Sequence, residues 1–263
     1  MNESIGINEI KDTIQLRKLW LFWGWLDIRQ RYRRSFLGPL WVTMTMGVSI
    51  LATGLVYAFL FKQEVANYLP YVAAGFVLWS LISGYIGEAC SVFIQNEGFI
   101  NQLNLPFLIY PIRLLWRYII MFMHHMIILG IVLMLFTPLT ITSLLAAILG
   151  LFLVCLNLFW IGLVLGLISV RLRDLPILVS TIFQVMFLIT PVIWPVSALG
   201  NRMIIAMWNP FYHLIEVVRT PLLYGITSLW GTHLIVSATM AFFGLGIGFV
   251  LLSAWKRRLV FWL

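Results

Sequence analysis

The chain has 263 residues, of which 62% are hydrophobic and only 10% are charged, and its formal net charge is +8. A soluble domain carries about 25% charged residues, so this composition excludes a water-soluble fold and makes lipid the expected solvent for most of the surface. The basic residues lie in short clusters between apolar runs. That pattern is typical of membrane topology and argues against nucleic acid as a partner.

The first predicted element is an amphipathic segment over residues 1–34. Apolar residues recur in it at spacings near three, four and seven, with charges between them: Ile10, Ile14, Leu21, Trp25, Ile28 and Tyr32. This periodicity predicts a helix in the cytoplasmic membrane interface, with its tryptophans at the depth of the lipid headgroups. The alternative is an ordinary solvated helix that leads into the first membrane span.

Residues 35–263 are predicted to form an all-α membrane domain with six transmembrane helices. A spanning helix needs about 20 predominantly apolar residues. Charged or turn-forming residues bound the candidate runs: 36–61, 68–95, two within 118–170, 175–193 and 232–254. The run 118–170 is charge-free and long enough for two crossings, which the turn-rich stretch Thr137–Thr140 separates.

The basic residues predict the orientation of these spans. Six spans place both termini on one side, and all but three of the 17 basic residues fall on that side. The exceptions are Lys62, Arg202 and Arg219. The positive-inside rule then places both termini in the cytoplasm, with the chain as a multi-pass protein of the bacterial inner membrane.

The outer loop over residues 195–229 is largely apolar and is interrupted by Trp208–Pro210. Asn209 is placed to cap a helix that begins with Pro210, and Thr220–Pro221 is expected to end that helix. Pieces of about ten residues cannot span a bilayer, but they can enter and return where protein or a water-filled cavity satisfies their backbone ends. We therefore predict a re-entrant helix pair at the periplasmic mouth, with a surface helix hairpin as the alternative.

The motif GxxxxGK[ST], which binds nucleotide phosphates, is absent because no lysine of the chain follows a glycine. The chain is therefore expected to be no enzyme and to hold no ATP, magnesium or other cofactor itself. No metal-ligand spacing is present either. His124 and His125 are adjacent, and on a helix they point about 100° apart.

Two charged residues fall within the predicted membrane depth. Glu88 lies about two turns from the inner end of the second span, and Arg117 lies about one turn into the third. We predict that the two share a depth and form an intramembrane charge pair. The membrane centre lacks the array of Asp, Glu and His that relays protons in secondary transporters, so transport powered from within this chain is not expected.

Aromatic residues are frequent, with 12 Trp, 9 Tyr and 19 Phe, and many lie toward the outer half of the spans. Interfacial belts are one explanation. The other is a sugar-stacking surface, because aromatic rings offer apolar faces to the C–H faces of pyranoses, and a channel for a long polymer needs such weak, repeated contacts. The candidate channel aromatics are Tyr57, Phe61, Tyr68, Tyr71, Trp194, Trp208 and Tyr212.

Several stretches, in order along nearly the whole chain, resemble the ABC-2 type permeases of O-antigen, capsule and teichoic-acid exporters. They are Asp27–Trp41, Glu88–Cys90, Phe93–Ile100, Leu105–Pro106, Val170–Asp174, Thr190–Pro195, and Asn209–Pro210 followed by Glu216 and Arg219. The stretch Arg34–Trp41, followed by Thr43–Gly47, is most similar to the O-antigen exporters. The resemblance implies a homodimer of this subunit with two copies of a separate cytoplasmic ABC ATPase, which binds the ATP and magnesium.

A coupling helix toward that ATPase is expected at about residues 96–106, where a short amphipathic piece is stopped by Pro106. A plain connector is the alternative. The candidate coupling residues are Glu97, Phe99, Ile100, Leu103, Arg171, Arg173 and Asp174. The implied function is ATP-driven export of a lipid-linked, O-antigen-like polysaccharide. Alternatives are export of another surface polymer or a small hydrophobic molecule, and, less well supported, an integral-membrane transferase.

Overall fold

The structure is a computed structural model that describes residues 3–33, 35–36, 38 and 40–263, without the side chains of residues 3–8, 199, 201–202, 257 and 260. In chain order, the α-helices of this part are α1 Glu3–Gln15, α2 Arg17–Arg31, α3 Leu40–Leu60, α4 Val65–Ala89, α5 Glu97–Gln102, α6 Ile109–Phe136, α7 Ile141–Arg171, α8 Leu175–Ile189, α9 Ile204–Met207, α10 Pro210–Tyr224 and α11 Ser228–Trp262. The prediction of an all-α membrane protein is confirmed.

Five helices, α3, α4, α6, α7 and α11, are long and apolar enough to cross a membrane. The break between α6 and α7 falls at the predicted turn, where the Thr140 hydroxyl accepts a hydrogen bond from the Ser143 amide and begins α7. The remaining predicted span, 175–193, contains α8, which has only 15 residues. A helix of that length extends about 22 Å, so the count of six spans stays a prediction.

The two ends of the bundle are defined by contacts between distant parts of the chain. Glu9 on α1 forms an ion pair with Lys256 near the end of α11, and we call this end the termini side. At the other end, which we call the opposite side, the Tyr68 hydroxyl near the start of α4 donates to the carbonyl of Ile193 beyond α8. Because α8 leads from Asp174 toward Ile193, it connects the two ends.

Helix α4 forms the centre of the bundle, since most of its residues are buried and it contacts α3, α6, α7, α8 and α10. The predicted amphipathic segment comprises two helices, α1 and α2, separated at Leu16; residues 1, 2 and 34 lie outside the described part. Ile14, Phe22 and Trp25 are exposed on these helices, whereas Ile28 is buried against the bundle. Exposed apolar side chains beside basic ones are typical of a helix at a membrane surface.

Candidate functional site

Four charged residues from three helices meet on the termini side: Asp27, Glu88, Arg113 and Arg117, which we call the termini-side network. The Arg113 guanidinium donates to both carboxylate oxygens of Asp27, with Nε–Oδ2 at 2.8 Å and Nη2–Oδ1 at 2.6 Å. The same guanidinium lies 3.8 Å from the centre of the Trp23 ring and donates to Asn96. Bidentate geometry of this kind is among the stronger side-chain interactions, and it docks α2 on α6.

The structure brings together the predicted pair, because Arg117 Nη2 contacts Glu88 Oε1. The Tyr118 hydroxyl donates to the second Glu88 oxygen at 2.8 Å, and Arg117 Nη1 lies 3.9 Å from Asp27. A cavity of about 180 Å³ opens beside these residues. Sequence reasoning did not predict Asp27 and Arg113 as partners of this pair, because Asp27 was named only at the start of the stretch Asp27–Trp41 and Arg113 was counted only among the basic residues. The available signal was an acid among the basic residues of the N-terminal segment.

The predicted coupling helix is shorter than expected, because α5 covers only Glu97–Gln102 and Leu103 is already extended. Phe99 and Leu103 are exposed at 45% and 47%, but Ile100 is buried in the core at 9%. The Phe99 ring packs edge-to-face on Trp23 of α2 at 4.9 Å. The exposed apolar face of α5 therefore contacts α2, the helix that the termini-side network docks on α6.

The other candidate coupling residues lie in the loop between α7 and α8. Arg171, Arg173 and Asp174 are all exposed there. The Arg171 guanidinium lies 5.9 Å from the Trp262 ring at the end of α11, so this loop belongs to the termini side, as α5 does.

On the opposite side, Asn209 and Pro210 begin α10. The Asn209 side chain accepts from the Phe211 amide at 2.9 Å and donates to Thr190 at 2.8 Å. Thr220–Pro221 does not end this helix, and that expectation is wrong: α10 continues to Tyr224. Proline cannot donate to the carbonyl four residues earlier, which is that of Val217, and the Trp230 indole N–H donates to this carbonyl instead at 2.9 Å.

Glu216 and Arg219 form a buried pair on α10. Arg219 has no exposed surface, its Nη2 contacts Glu216 Oε1, and it donates to the Pro191 carbonyl at 2.8 Å. Its guanidinium lies 3.8 Å from the centre of the Tyr71 ring, and Thr220 donates to the other Glu216 oxygen at 2.7 Å. One of the three basic residues that break the predicted charge bias, Arg219, is therefore neutralised inside the protein.

The segment after α8 is tied to α4 by backbone contacts. The Tyr71 hydroxyl is 3.0 Å from the Trp194 carbonyl and 3.2 Å from that of Pro191. Gly75 lies directly beneath this segment, where a Cβ atom would overlap the Val192 carbonyl oxygen. Glycine is therefore required at this position for close approach of the two backbones.

The candidate channel aromatics divide into three groups. Tyr68, Tyr71 and Tyr212 line a cavity of about 440 Å³, which we call the opposite-side cavity, although all three rings are largely buried. Tyr57 and Phe61 pack beside Tyr68, with Phe61 6.2 Å from its ring. The remaining two lie outside that cavity lining: Trp194 donates its indole N–H to the Leu188 carbonyl, and Trp208 is 82% exposed.

A second set of aromatic residues, which sequence reasoning missed, lines a groove of about 560 Å³ between α3, α4 and α8. We call it the mid-bundle groove; its lining includes Phe76, Trp79, Ser83, Ser180, Phe183, Gln184 and Phe187. Trp79 lies 5.8 Å from both Phe183 and Phe187. The signal in the sequence was a stripe of polar and aromatic residues at helical spacing along α8, away from the outer ends of the spans where the candidate channel aromatics lie.

Comparison with known proteins identifies the class of protein to which these surfaces belong. The family described as ABC-2 type transporter matches residues 19–223, from α2 to α10. The match covers more than half of the chain, and the chain belongs to this family. It is therefore a multi-pass membrane subunit of an ABC exporter and not an enzyme, and the ATPase is a separate subunit.

One relative with a described role extends this comparison. The chain is 23% identical over 214 residues to the O-antigen export system permease protein RfbA of Myxococcus xanthus, and the alignment covers 79% of this chain and 81% of that protein. The resemblance to ABC-2 type permeases that the sequence motifs predict is confirmed.

Proposed function

We propose that this chain is the membrane subunit of an exporter of lipid-linked, O-antigen-like polysaccharide in a bacterial inner membrane. It acts as a homodimer with two copies of a cytoplasmic ABC ATPase, which bind ATP and magnesium. The similarity to an O-antigen export permease supports the substrate class. The excess of basic residues on the termini side supports a cytoplasmic location for both termini.

The mid-bundle groove is the observation that carries the proposal. Phe76 and Trp79 lie near the middle of α4, and the groove there opens away from the protein core. Ser180 and Gln184 are exposed along the same groove. Polar side chains at membrane depth normally face a protein partner or a water-filled space and not lipid.

A second copy of the chain that faced this groove would enclose a path lined by rings and small polar groups. Phe183 and Phe187 would offer apolar faces to successive sugars, while Ser83 and Gln184 would exchange hydrogen bonds with hydroxyl groups. None of these contacts fixes one sugar, so a long chain can slide past them. That property suits a polymer better than a single small molecule, which needs an enclosed pocket with a few well-placed polar groups.

The termini side provides a route for the ATPase to act on this path. Phe99 and Leu103 on or beside α5, together with the loop 171–174, form the surface offered to the partner. Displacement of α5 reaches α2 through the contact between Phe99 and Trp23, and reaches α6 through Asn96 and Arg113. In this proposal, ATPase closure shifts these helices and biases a two-state gate at the dimer seam, while α1 and α2 admit the lipid-linked end of the glycan.

The proposal is tested by deleting the gene for this chain in its host and by purifying the tagged chain from native membranes. Deletion should abolish surface polysaccharide, and wild-type chain should restore it. Tagged chain should co-purify with an ABC ATPase in equal amount and with a second, differently tagged copy of itself. If the surface polysaccharide is unchanged while export of a hydrophobic dye is lost, the small-molecule alternative replaces this proposal.

A further inference from the structure

The opposite-side cavity lies between the start of α4, one face of α10 and the start of α11, and residues 195–197 form another part of its wall. Its volume of about 440 Å³ falls within the range of pockets for small ligands, about 300–1,000 Å³. Its lining combines buried charged and polar groups, Glu216 and His233, with the partly exposed residues Tyr224 and Leu229. It is separate from the mid-bundle groove, since the two share no lining residue.

Three hydroxyl protons in the wall of this cavity have partners inside the protein. Tyr68 and Tyr71 donate to the backbone carbonyls of Ile193 and Trp194, and Thr220 donates to Glu216. A hydroxyl that donates its proton still accepts through its oxygen lone pairs. These three groups therefore present acceptors to whatever occupies the cavity.

Two histidines add a further acceptor. His213 Nε2 lies 2.8 Å from the Met207 carbonyl, and because a carbonyl can only accept, this nitrogen carries the proton in neutral His213. His213 Nδ1 must then accept from His233 Nδ1 at 2.9 Å. Neutral His233 is thus left with a lone pair on Nε2, and no partner for that nitrogen is found among the described residues.

Glu216 completes the set of acceptors without making the cavity a cation site. Its two carboxylate oxygens each accept one hydrogen bond, from Arg219 and Thr220, and each keeps further acceptor capacity. Arg219 neutralises the carboxylate, and within the described part of the chain its Nε and Nη1 have no hydrogen-bond partner. A bound ammonium group would lie close to this guanidinium, so a neutral donor is favoured over a cation.

From this arrangement, and resting on the proposed function, we propose that the opposite-side cavity is a binding site for one or two neutral sugar residues of the exported glycan. Sugar hydroxyls donate to the acceptors of Glu216 and His233, and the sugar C–H faces lie against Leu229 and the Tyr224 ring. The site lies on the side away from the ATPase, where the glycan emerges. It holds the emerging end while the ATPases release their products, and this opposes backward movement of the chain.

The test uses the full permease–ATPase complex in lipid nanodiscs. The probes are short oligosaccharides cut from the host's own surface polysaccharide after mild acid release and, in parallel, a hydrophobic ammonium dye. Leu229→Trp fills the cavity from a half-exposed position, and Ile226→Trp, at an exposed position three residues away that does not line the cavity, is the matched control. We expect Leu229→Trp to weaken oligosaccharide binding at least tenfold and Ile226→Trp to leave it unchanged, with little binding of the dye.

Equal oligosaccharide binding by wild type and Leu229→Trp overturns the proposal, as does binding of the dye in place of the sugar. Absence of any binding to a wild-type complex that still restores surface polysaccharide in cells also overturns it. Failure to restore surface polysaccharide at all is the separate result that removes the proposed function, so the two failures are distinguishable.

Discussion

Two ion-pair clusters lie at opposite ends of the bundle, and they are built differently. The termini-side network joins α2, α4 and α6 through side chains that remain 13–27% exposed, beside a cavity of about 180 Å³. On the opposite side, Glu216 and Arg219 lie one turn apart on the single helix α10, and Arg219 has no exposed surface. The first arrangement can change when its helices move, whereas the second cannot separate without leaving a buried, unpaired charge.

This difference assigns a different task to each end. The termini-side network lies next to α5, the helix that the ATPase is proposed to contact and displace. The buried pair holds the segment after α8 against α4, and so it anchors the wall of the opposite-side cavity. Variants on the opposite side should therefore lose more stability. Variants on the termini side should lose less stability but should impair the coupling between ATP hydrolysis and transport.

The largest loss of stability is expected at the buried pair. Arg219→Met leaves the Glu216 carboxylate without its counter-charge and should lower the free energy of unfolding by about 3–5 kcal/mol. The double variant Arg219→Met/Glu216→Leu should recover part of this loss, because no unpaired charge remains. Thermal unfolding in detergent measures both, and a double variant no more stable than the single one contradicts this account.

The next largest effect is expected at the closest backbone approach on the same side. Gly75→Ala places a methyl group against the Val192 carbonyl and should cost about 1–3 kcal/mol through overpacking. Gly87→Ala in the same helix is the control, since its Cβ position has no heavy atom within 4 Å. The control should be neutral or slightly stabilising; equal losses for the two variants would show that close approach is not the reason for glycine at Gly75.

A smaller loss of stability but a specific loss of coupling is expected on the termini side. Arg113→Met removes two charge-assisted hydrogen bonds to Asp27. Because both side chains are partly exposed, Asp27 can be rehydrated, and we expect a net loss of about 1–2 kcal/mol. Protease sensitivity of α2 should rise, and glycan-stimulated ATP hydrolysis should fall while basal hydrolysis persists. If glycan still stimulates ATP hydrolysis to the wild-type level although α2 is released, the network takes no part in coupling.

The smallest effect on stability is expected at the ATPase-facing surface. Leu103→Ala changes an exposed side chain and should alter stability by about 0.5 kcal/mol or less. Phe99→Ala also loses the edge-to-face contact with Trp23 and should cost about 0.5–1 kcal/mol. Both variants should release the ATPase during purification. Ile100→Ala is the contrasting variant. Because this side chain is buried, its truncation should lower the free energy of unfolding by about 2–5 kcal/mol. Retention of the ATPase by the Phe99 and Leu103 variants would move the partner contact away from α5.

Local signals in the sequence predicted the elements whose causes are local. Asn209 followed by Pro210 predicted the start of α10, and the turn before Ile141 predicted where α7 begins. The end of α10 was predicted wrongly at Pro221, because the donor that replaces its missing amide, Trp230, belongs to another helix. No pattern within α10 contains that information.

The candidate sites follow the same division. Glu88 and Arg117 could be placed at one depth by counting turns, but their neighbours Asp27 and Arg113 required the docking of α2 on α6. The mid-bundle groove depends on α4 and α8 lying side by side, which neither helix specifies alone. Tyr68 and Tyr71 were predicted as channel aromatics, but the carbonyl groups that accept from their hydroxyls come from the distant segment after α8.

The central claim is that the mid-bundle groove forms part of the transport path, and water accessibility tests it most directly. Gln184→Cys lies in the groove, and Ile148→Cys, exposed on α7 about two turns from its opposite-side end, is the lipid-facing control. Cys90 and Cys155 are replaced first, and the complex with its ATPase is treated with a charged thiol reagent. The account predicts that Gln184→Cys is modified and that added glycan protects it, while Ile148→Cys is not modified; equal modification of both cysteines, or no modification of Gln184→Cys, would contradict it.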